Sequence, residues 1–128
     1  EEIREGILEA KPDAECVTYD IIEHDMGELH ALVNRCNAFA VGSPTLNRDA
    51  VPPVWNLLAG IDAINSGKKP VLVFGSYGWT GEAVANIQAR LMGLKMSVFE
   101  DGFKVNFVPT VEDLEAARDM GRRFAQSF

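Results

Sequence analysis

Apolar residues recur along much of the chain at intervals of three and four, which is the spacing of one face of an α-helix. Ile3 and Ile7 begin the first such face. Thr110, with Asp113 three residues later, resembles a capping box that opens the last helix. The pattern predicts five helices, at residues 1–10, 29–36, 52–61, 81–92 and 110–126.

The apolar residues between these helices form strand patterns of two kinds. Residues 38–42 and 71–75 are short continuous apolar runs, typical of parallel strands that are buried on both faces. Residues 15–22 and 95–108 alternate apolar with polar positions, which is typical of strands nearer the edge of a sheet. Strands that alternate with helices predict an α/β fold: a three-layer, doubly wound parallel sheet in one domain of residues 1–128, with 38–42 and 71–75 central.

Composition and charge narrow the class of protein. The chain has 128 residues, of which 47% are hydrophobic, and a formal net charge of −7. An acidic surface is unsuited to nucleic acid or to an anionic membrane as the main partner. No apolar run approaches the roughly 20 residues that span a bilayer. Cys16 and Cys36, the only cysteines, stand in apolar stretches, so we expect two buried, unpaired thiols in a cytoplasmic protein.

Two long loops follow the two predicted central strands: residues 42–53, here called the first loop, and residues 75–82, the second loop. Ligands of parallel sheets bind at the carboxyl ends of the strands, so we expect these loops to form opposite walls of one site. The second loop carries Tyr77 and Trp79, whose flat faces suit a planar ring. Neither loop contains a histidine, a cysteine or a close carboxylate pair. A planar redox cofactor is therefore favoured over acid–base or nucleophilic catalysis.

Two simpler interpretations of the second loop stay open at this point. Trp79 can fold back as a lid on a helix end, and Thr80 can serve only as the N-cap of the next helix. Gly75, Gly78 and Gly81 have the spacing G-x-x-G-x-x-G, which differs from the dinucleotide-binding fingerprint, and there is no Walker pattern. These observations leave the identity of a planar ligand undecided.

The stretches "AVGSPTLNRDAVPPV" and "VFGSYGWTGEAV" together resemble the flavodoxin-like domain of the flavodiiron proteins, also called A-type flavoproteins. The similarity covers essentially the whole chain. It implies noncovalently bound FMN at the strand ends, with Trp79 stacked on the isoalloxazine ring. Glu82 departs from the family, where a second glycine is common. The resemblance assigns FMN binding to Ser43, Pro44, Thr45, Leu46, Asn47, Gly75, Ser76, Tyr77, Gly78, Trp79 and Gly81.

The same resemblance indicates which parts of such a domain this sequence lacks. Domains of this family begin with a central strand and a hydroxyl-rich loop that holds the FMN phosphate at a helix N-terminus. Residues 1–10 resemble the rest of that first helix, so we expect an incomplete domain with an unpaired strand edge in its sheet. The metal ligands of the family's diiron domain are not in this sequence either.

The family resemblance implies electron relay as the function. In flavodiiron proteins FMN accepts electrons from a rubredoxin or a flavin reductase and passes them to a diiron site that reduces dioxygen or nitric oxide. This transfer crosses a head-to-tail homodimer. Three alternatives stay open: a flavodoxin-like NAD(P)H:quinone reductase, a stand-alone flavodoxin that carries electrons, and a binding module with this fold and no flavin.

Overall fold

The computed structural model describes all of residues 1–128. It divides into two compact units, one formed by Glu1–Tyr19 with Phe107–Phe128 and the other by Asp20–Asn106. None of the helices is long and apolar enough to cross a membrane. The helices are α1 (Glu2–Ala10), α2 (Met26–Arg35), α3 (Pro52–Ala59), α4 (Glu82–Gly93) and α5 (Val111–Gln126), and the strands are β1 (Phe39–Pro44), β2 (Pro70–Tyr77), β3 (Ser97–Val98) and β4 (Phe103–Asn106).

The larger unit contains a parallel sheet with β2 at its centre. β1 pairs with one side of β2, while β3 and β4 pair with the other side. Val71, Leu72 and Val73 of β2 are fully buried, as predicted for a strand that is covered on both faces. The predicted α/β fold with a parallel sheet is therefore confirmed, and residues 95–108 contribute edge strands as expected.

Two of the strand predictions are wrong. Residues 15–20 pair with no strand, and Ile21–Glu23 forms a single turn of 3₁₀-helix. Extended chain becomes a strand only when its N–H and C=O groups bond to a neighbouring strand, which alternation alone cannot supply. β1 pairs with β2 on one side only, so it lies at an edge rather than at the centre.

One apolar core lies between the sheet and the helices of the larger unit. The inward stripes of α2, α3 and α4 are buried against β1 and β2, and each large side chain so buried contributes about 1.5–3 kcal/mol. This packing fixes the positions of the carboxyl ends of β1 and β2. The largest fully buried side chains of this unit are Leu58, Leu72, Ile87, Leu91, Val71, Val73 and Val84.

The smaller unit consists mainly of α1 and α5 packed against each other. Gly6 permits this close approach, because a Cβ there would lie 1.9 Å from the carbonyl oxygen of Arg118. Glu2 accepts a hydrogen bond of 2.8 Å from Arg118 across the two helices. The capping box predicted at Thr110 and Asp113 is confirmed, with both reciprocal hydrogen bonds present. All five predicted helices are found, although α2 begins earlier and α3 ends earlier than expected.

Cys16 and Cys36 are free thiols, as predicted, but both are only partly buried. Desolvation raises the pKa of each thiol, opposed by the nearby charge of Arg4 at Cys16 and of Lys69 at Cys36. The prediction of full burial is wrong because Cys36 directly follows the end of α2 and Cys16 lies in the unpaired segment 15–20. No group of histidine, cysteine or acidic side chains is arranged to hold a metal ion.

Candidate functional site

The two long loops leave the sheet side by side, as expected from the strand order. Ser43 lies opposite Gly75 in the parallel register of β1 and β2, and the Thr45 N–H donates to the carbonyl oxygen of Ser76 at 2.8 Å. Gly75 is required here, because a Cβ would lie 2.4 Å from the carbonyl oxygen of Ser43. The two walls of the predicted site are therefore joined through their main chains.

A tight turn forms the tip of the first loop. Leu46 and Asp49 exchange two main-chain hydrogen bonds, of 2.9 and 3.0 Å. Asn47 and Arg48 between them have positive φ angles of 53° and 62°. Two consecutive left-handed residues are the mark of a type I′ turn, in which asparagine is favoured and arginine is strained. Surrounding contacts must hold Arg48 in this conformation.

The side chain of Ser43 belongs to the frame of the first loop. It is only 4% exposed. Its hydroxyl accepts a hydrogen bond from the Val51 N–H at 3.1 Å and donates to the carbonyl oxygen of Pro44 at 2.7 Å. Both hydrogen bonds of the hydroxyl lie within the loop, so Ser43 stabilises the shape of the loop.

The carboxylate of Asp49 collects donors from three places. Oδ1 accepts from the Ala50 N–H at 2.8 Å and from Nδ2 of Asn86 on α4 at 3.0 Å. Oδ2 accepts from the indole Nε1 of Trp55 on α3 at 3.1 Å. These hydrogen bonds, led by that of Asn86, lower the pKa of Asp49. The first loop is thus fastened to both of its neighbouring helices.

The N-terminus of α4 is capped from the first loop. The Ala83 N–H donates to the hydroxyl of Thr45 at 3.2 Å, while Gly81 at the N-cap position offers no side chain. The simpler interpretation of Thr80 as the N-cap is therefore wrong. A threonine hydroxyl satisfies a free N–H of the first helical turn equally well when it comes from another segment.

The second loop presents its aromatic side chains differently. Trp79 is 94% exposed, which contradicts the interpretation that it folds back as a lid. Tyr77 is partly buried, and the ammonium of Lys104 lies 5.9 Å from the centre of its ring. The indole ring of Trp79 is therefore open to solvent.

Glu82 is the last residue of the second loop and the first residue of α4. Its Oε2 is buried without a hydrogen-bond partner. The Thr80 hydroxyl, its own main-chain N–H and the charges of Arg48 and Lys104 lower the pKa of Glu82. An anionic side chain suits a helix N-terminus, so this departure from the family pattern is compatible with α4.

The predicted site residues all lie on these two adjacent loops, at residues 43–47 and 75–81. Leu46 and Trp79 are the large apolar side chains that they leave exposed. Sequence reasoning missed Asp49, Trp55 and Asn86. Only the Asn47-Arg48 turn next to Asp49 was a local signal, because the other two are distant in sequence.

The model of one protein family, described as flavodoxin, matches residues 1–121. The chain belongs to the flavodoxin family. Its match spans both compact units and includes both loops of the candidate site.

Relatives of this flavodoxin chain include much longer proteins. It is 45% identical over 126 residues to the flavo-diiron protein FprA2 of Clostridium acetobutylicum, covering 98% of this chain and 32% of that protein. It is 35% identical over 128 residues to the anaerobic nitric oxide reductase flavorubredoxin of Aeromonas hydrophila, covering 98% and 25%. The solved rubredoxin oxygen:oxidoreductase of Desulfovibrio gigas superposes with a TM-score of 0.85 at 25% identity, covering 98% and 32%. The chain therefore spans between a quarter and a third of these relatives, and the resemblance to flavodiiron proteins is confirmed.

FMN is the cofactor of flavodoxin domains in flavodiiron proteins, and the residues at the strand ends fit its ring. Trp79 offers an exposed indole face of the size needed for stacking. Exposed Leu46 on the neighbouring loop offers an apolar contact. The polar groups of Ser43, Thr45 and Asp49 are already satisfied, so the first loop is a preformed wall.

Proposed function

We propose that this chain is the FMN-binding electron-transfer domain of a flavodiiron oxidoreductase, with residues 1–128 acting as one domain. The observation that carries the proposal is the exposed indole of Trp79, on the loop next to one in which Ser43, Thr45 and Asp49 already bond to other parts of the protein. An indole face that is open to solvent at the carboxyl ends of parallel strands is available to stack on a planar ligand. The family match supports the same conclusion.

The two loops would hold the ring between them. Trp79 would stack on the isoalloxazine, with Tyr77, Leu46 and the loop main chain available to contact the rest of the ring. FMN supplies the redox chemistry when bound, so the chain's own residues need only bind, orient and exclude water. We assign this binding to Ser43 (through its support of the loop), Pro44, Thr45, Leu46, Asn47, Gly75, Ser76, Tyr77, Gly78, Trp79 and Gly81.

The partners follow from the names of the relatives. A flavorubredoxin and a rubredoxin oxygen:oxidoreductase are among them, and this chain covers 25% and 32% of their lengths. We propose a rubredoxin or a flavin reductase as the electron donor and a diiron domain of the same protein as the acceptor, where dioxygen or nitric oxide is reduced. A homodimer brings the two centres together. The free thiols suit the proposed cytoplasmic location.

The ring site is tested by titrating the chain with riboflavin and with FMN, following the visible flavin band and quenching of flavin fluorescence. Riboflavin isolates the contribution of the ring, because it has no phosphate. Trp79→Ala should weaken riboflavin binding about tenfold, since one stacking partner is lost. Ile64→Ala is the matched control, because Ile64 is 92% exposed and lies outside both loops.

Unchanged riboflavin affinity in Trp79→Ala contradicts the stacking role. Absence of binding by the unaltered chain to either flavin contradicts the proposed function. The relay itself is tested by mixing reduced rubredoxin with the FMN-loaded chain: bleaching of the flavin band no faster than with free FMN contradicts the proposed donor.

A further inference from the structure

We propose that Asp49 is the positioning residue of this site: it holds the first loop in its ring-binding shape by tying the loop to α3 and α4. The inference rests on the proposed flavin site, but Asp49 need not touch the ligand. It acts through the turn at Asn47 and Arg48, which is strained and requires an external restraint.

The hydrogen bonds that Asp49 accepts from the two neighbouring helices provide this restraint. Asn86 of α4 donates to Oδ1 and Trp55 of α3 donates to Oδ2, so each carboxylate oxygen is bonded to a different helix. Nδ2 of Asn86 also lies 3.4 Å from the carbonyl oxygen of Arg48, within the turn itself. One carboxylate therefore joins the strained turn to two rigid helices.

Asp49→Asn would leave one side-chain oxygen for donors that now bond to two. Asparagine at position 49 keeps the size of the side chain, but its amide nitrogen cannot accept from the indole of Trp55. The partly buried indole N–H would then be unsatisfied, which favours movement of the turn. Leu46 and Asn47 would move with it, because Leu46 bonds directly to residue 49.

Such movement lowers affinity without removing any contact to the ligand. A preformed loop binds more tightly than a loose one, because a loose loop must be ordered when the ligand arrives. We therefore expect Asp49→Asn to weaken riboflavin binding about tenfold, the loss that goes with ordering one or two side chains of the loop on binding.

Asp62 provides a matched control carboxylate. It also accepts from main-chain N–H groups and an asparagine amide, at Ile64 and Asn65, but all of these lie within three residues of it. Its pKa is lowered by the same kind of neutral donors, led by Asn65. Asp62→Asn removes a comparable carboxylate that lies outside both loops and bonds to residues of neither, so riboflavin affinity should not change.

The experiment measures Asp49→Asn, Asp62→Asn, Trp55→Phe and the double variant Asp49→Asn/Trp55→Phe. Riboflavin affinity is compared with urea stability and with amide hydrogen exchange at Leu46 in the ligand-free chain. We expect Asp49→Asn to lose affinity and Leu46 protection, and Asp62→Asn to keep both. The double variant should weaken binding by less than the two single effects combined, because both changes break the same Trp55 bond.

The outcomes separate this inference from the proposed function. Wild-type affinity and wild-type Leu46 protection in Asp49→Asn overturn the role of Asp49 while riboflavin binding persists. Equal stability loss in Asp49→Asn and Asp62→Asn with unchanged affinity shows a purely structural carboxylate and also overturns it. If the unaltered chain binds no flavin, the proposed function fails, and Leu46 exchange alone then decides whether Asp49 fastens the turn.

Discussion

The first and second loops leave one sheet side by side, and they differ in how their side chains are used. In the first loop, Ser43, Thr45 and Asp49 all bond to other parts of the protein. In the second loop, Trp79 is almost wholly exposed. The side chains of the first loop fix its conformation, whereas the second loop exposes an aromatic side chain. A site for a planar ligand needs both a fixed wall and an exposed ring for stacking.

The difference follows from local sequence. The first loop has small polar side chains that satisfy N–H groups at short range, as serine, threonine and aspartate do in turns and caps. The second loop has glycines, which allow close approach to the neighbouring chain but offer no side chain to bond with. The two loops are in contact where a polar residue of the first, Ser43, lies opposite a glycine of the second, Gly75.

The largest expected effect comes from breaking that meeting point. Gly75→Ala places a Cβ 2.4 Å from the carbonyl oxygen of Ser43, a main-chain atom that cannot move away cheaply. We expect a loss of about 3 kcal/mol in the free energy of unfolding, measured by urea denaturation, because overpacking of this kind shifts the backbone. Gly67→Ala is the control, since no atom lies within 4 Å of its added Cβ. Equal effects at the two positions would show that the loops are not in contact at Gly75.

A smaller effect is expected when the cap across the loops is removed. Thr45→Ala leaves the Ala83 N–H of α4 without its acceptor and should cost about 1 kcal/mol of unfolding free energy, the usual value for a lost N-cap. Thr80→Ala should cost less, because Thr80 does not cap α4. The two variants are compared by urea denaturation. A larger loss of unfolding free energy in Thr80→Ala than in Thr45→Ala would show that Thr80, in the second loop, caps α4.

Much of the fold could be predicted from the pattern of apolar residues. The five helices and the buried centre of strand β2 follow from local periodicity, and the Thr110–Asp113 capping box from local spacing. The errors arose where structure depends on a partner. Residues 15–20 alternate like a strand but pair with none, and β1 is apolar like a central strand but is paired on one side. Pairing is decided by distant segments, which periodicity does not report.

The site shows the same division. Adjacent loops could be predicted because consecutive parallel strands end at the same edge of a sheet. The roles of individual hydroxyls and carboxylates could not. Thr45 caps a helix that begins 37 residues later, and Asp49 bonds to Asn86 across a similar separation. Such contacts depend on the tertiary packing of α4 against the first loop, for which the sequence offers no local signal.

Asp49 and Glu82, one in each loop, differ in what lowers their pKa values. Asp49 in the first loop has its pKa lowered from an ordinary 3.8 by the neutral donors Asn86, Ala50 and Trp55. Glu82 at the end of the second loop has its pKa lowered from an ordinary 4.5 by Thr80 and its own N–H first, and then by Arg48 and Lys104. Charge–charge attraction therefore contributes at Glu82 but not at Asp49.

The smallest expected effect is a difference in salt response. At about 1 M salt the screening length is about 3 Å, so the attraction of Arg48 and Lys104 for Glu82 weakens while neutral hydrogen bonds persist. We expect salt to raise the pKa of Glu82 slightly and to leave that of Asp49 in place, measured by carboxyl-carbon NMR titration. Both pKa values are lowered by folding, so each carboxylate stabilises the chain above its ordinary pKa, and this stability is lost as the pH falls through the lowered value. Asp62, also lowered by neutral donors, is the internal control. A salt response at Asp49 as large as that at Glu82 would mean that unsuspected charges, rather than the Asn86 and Trp55 hydrogen bonds, hold the first loop.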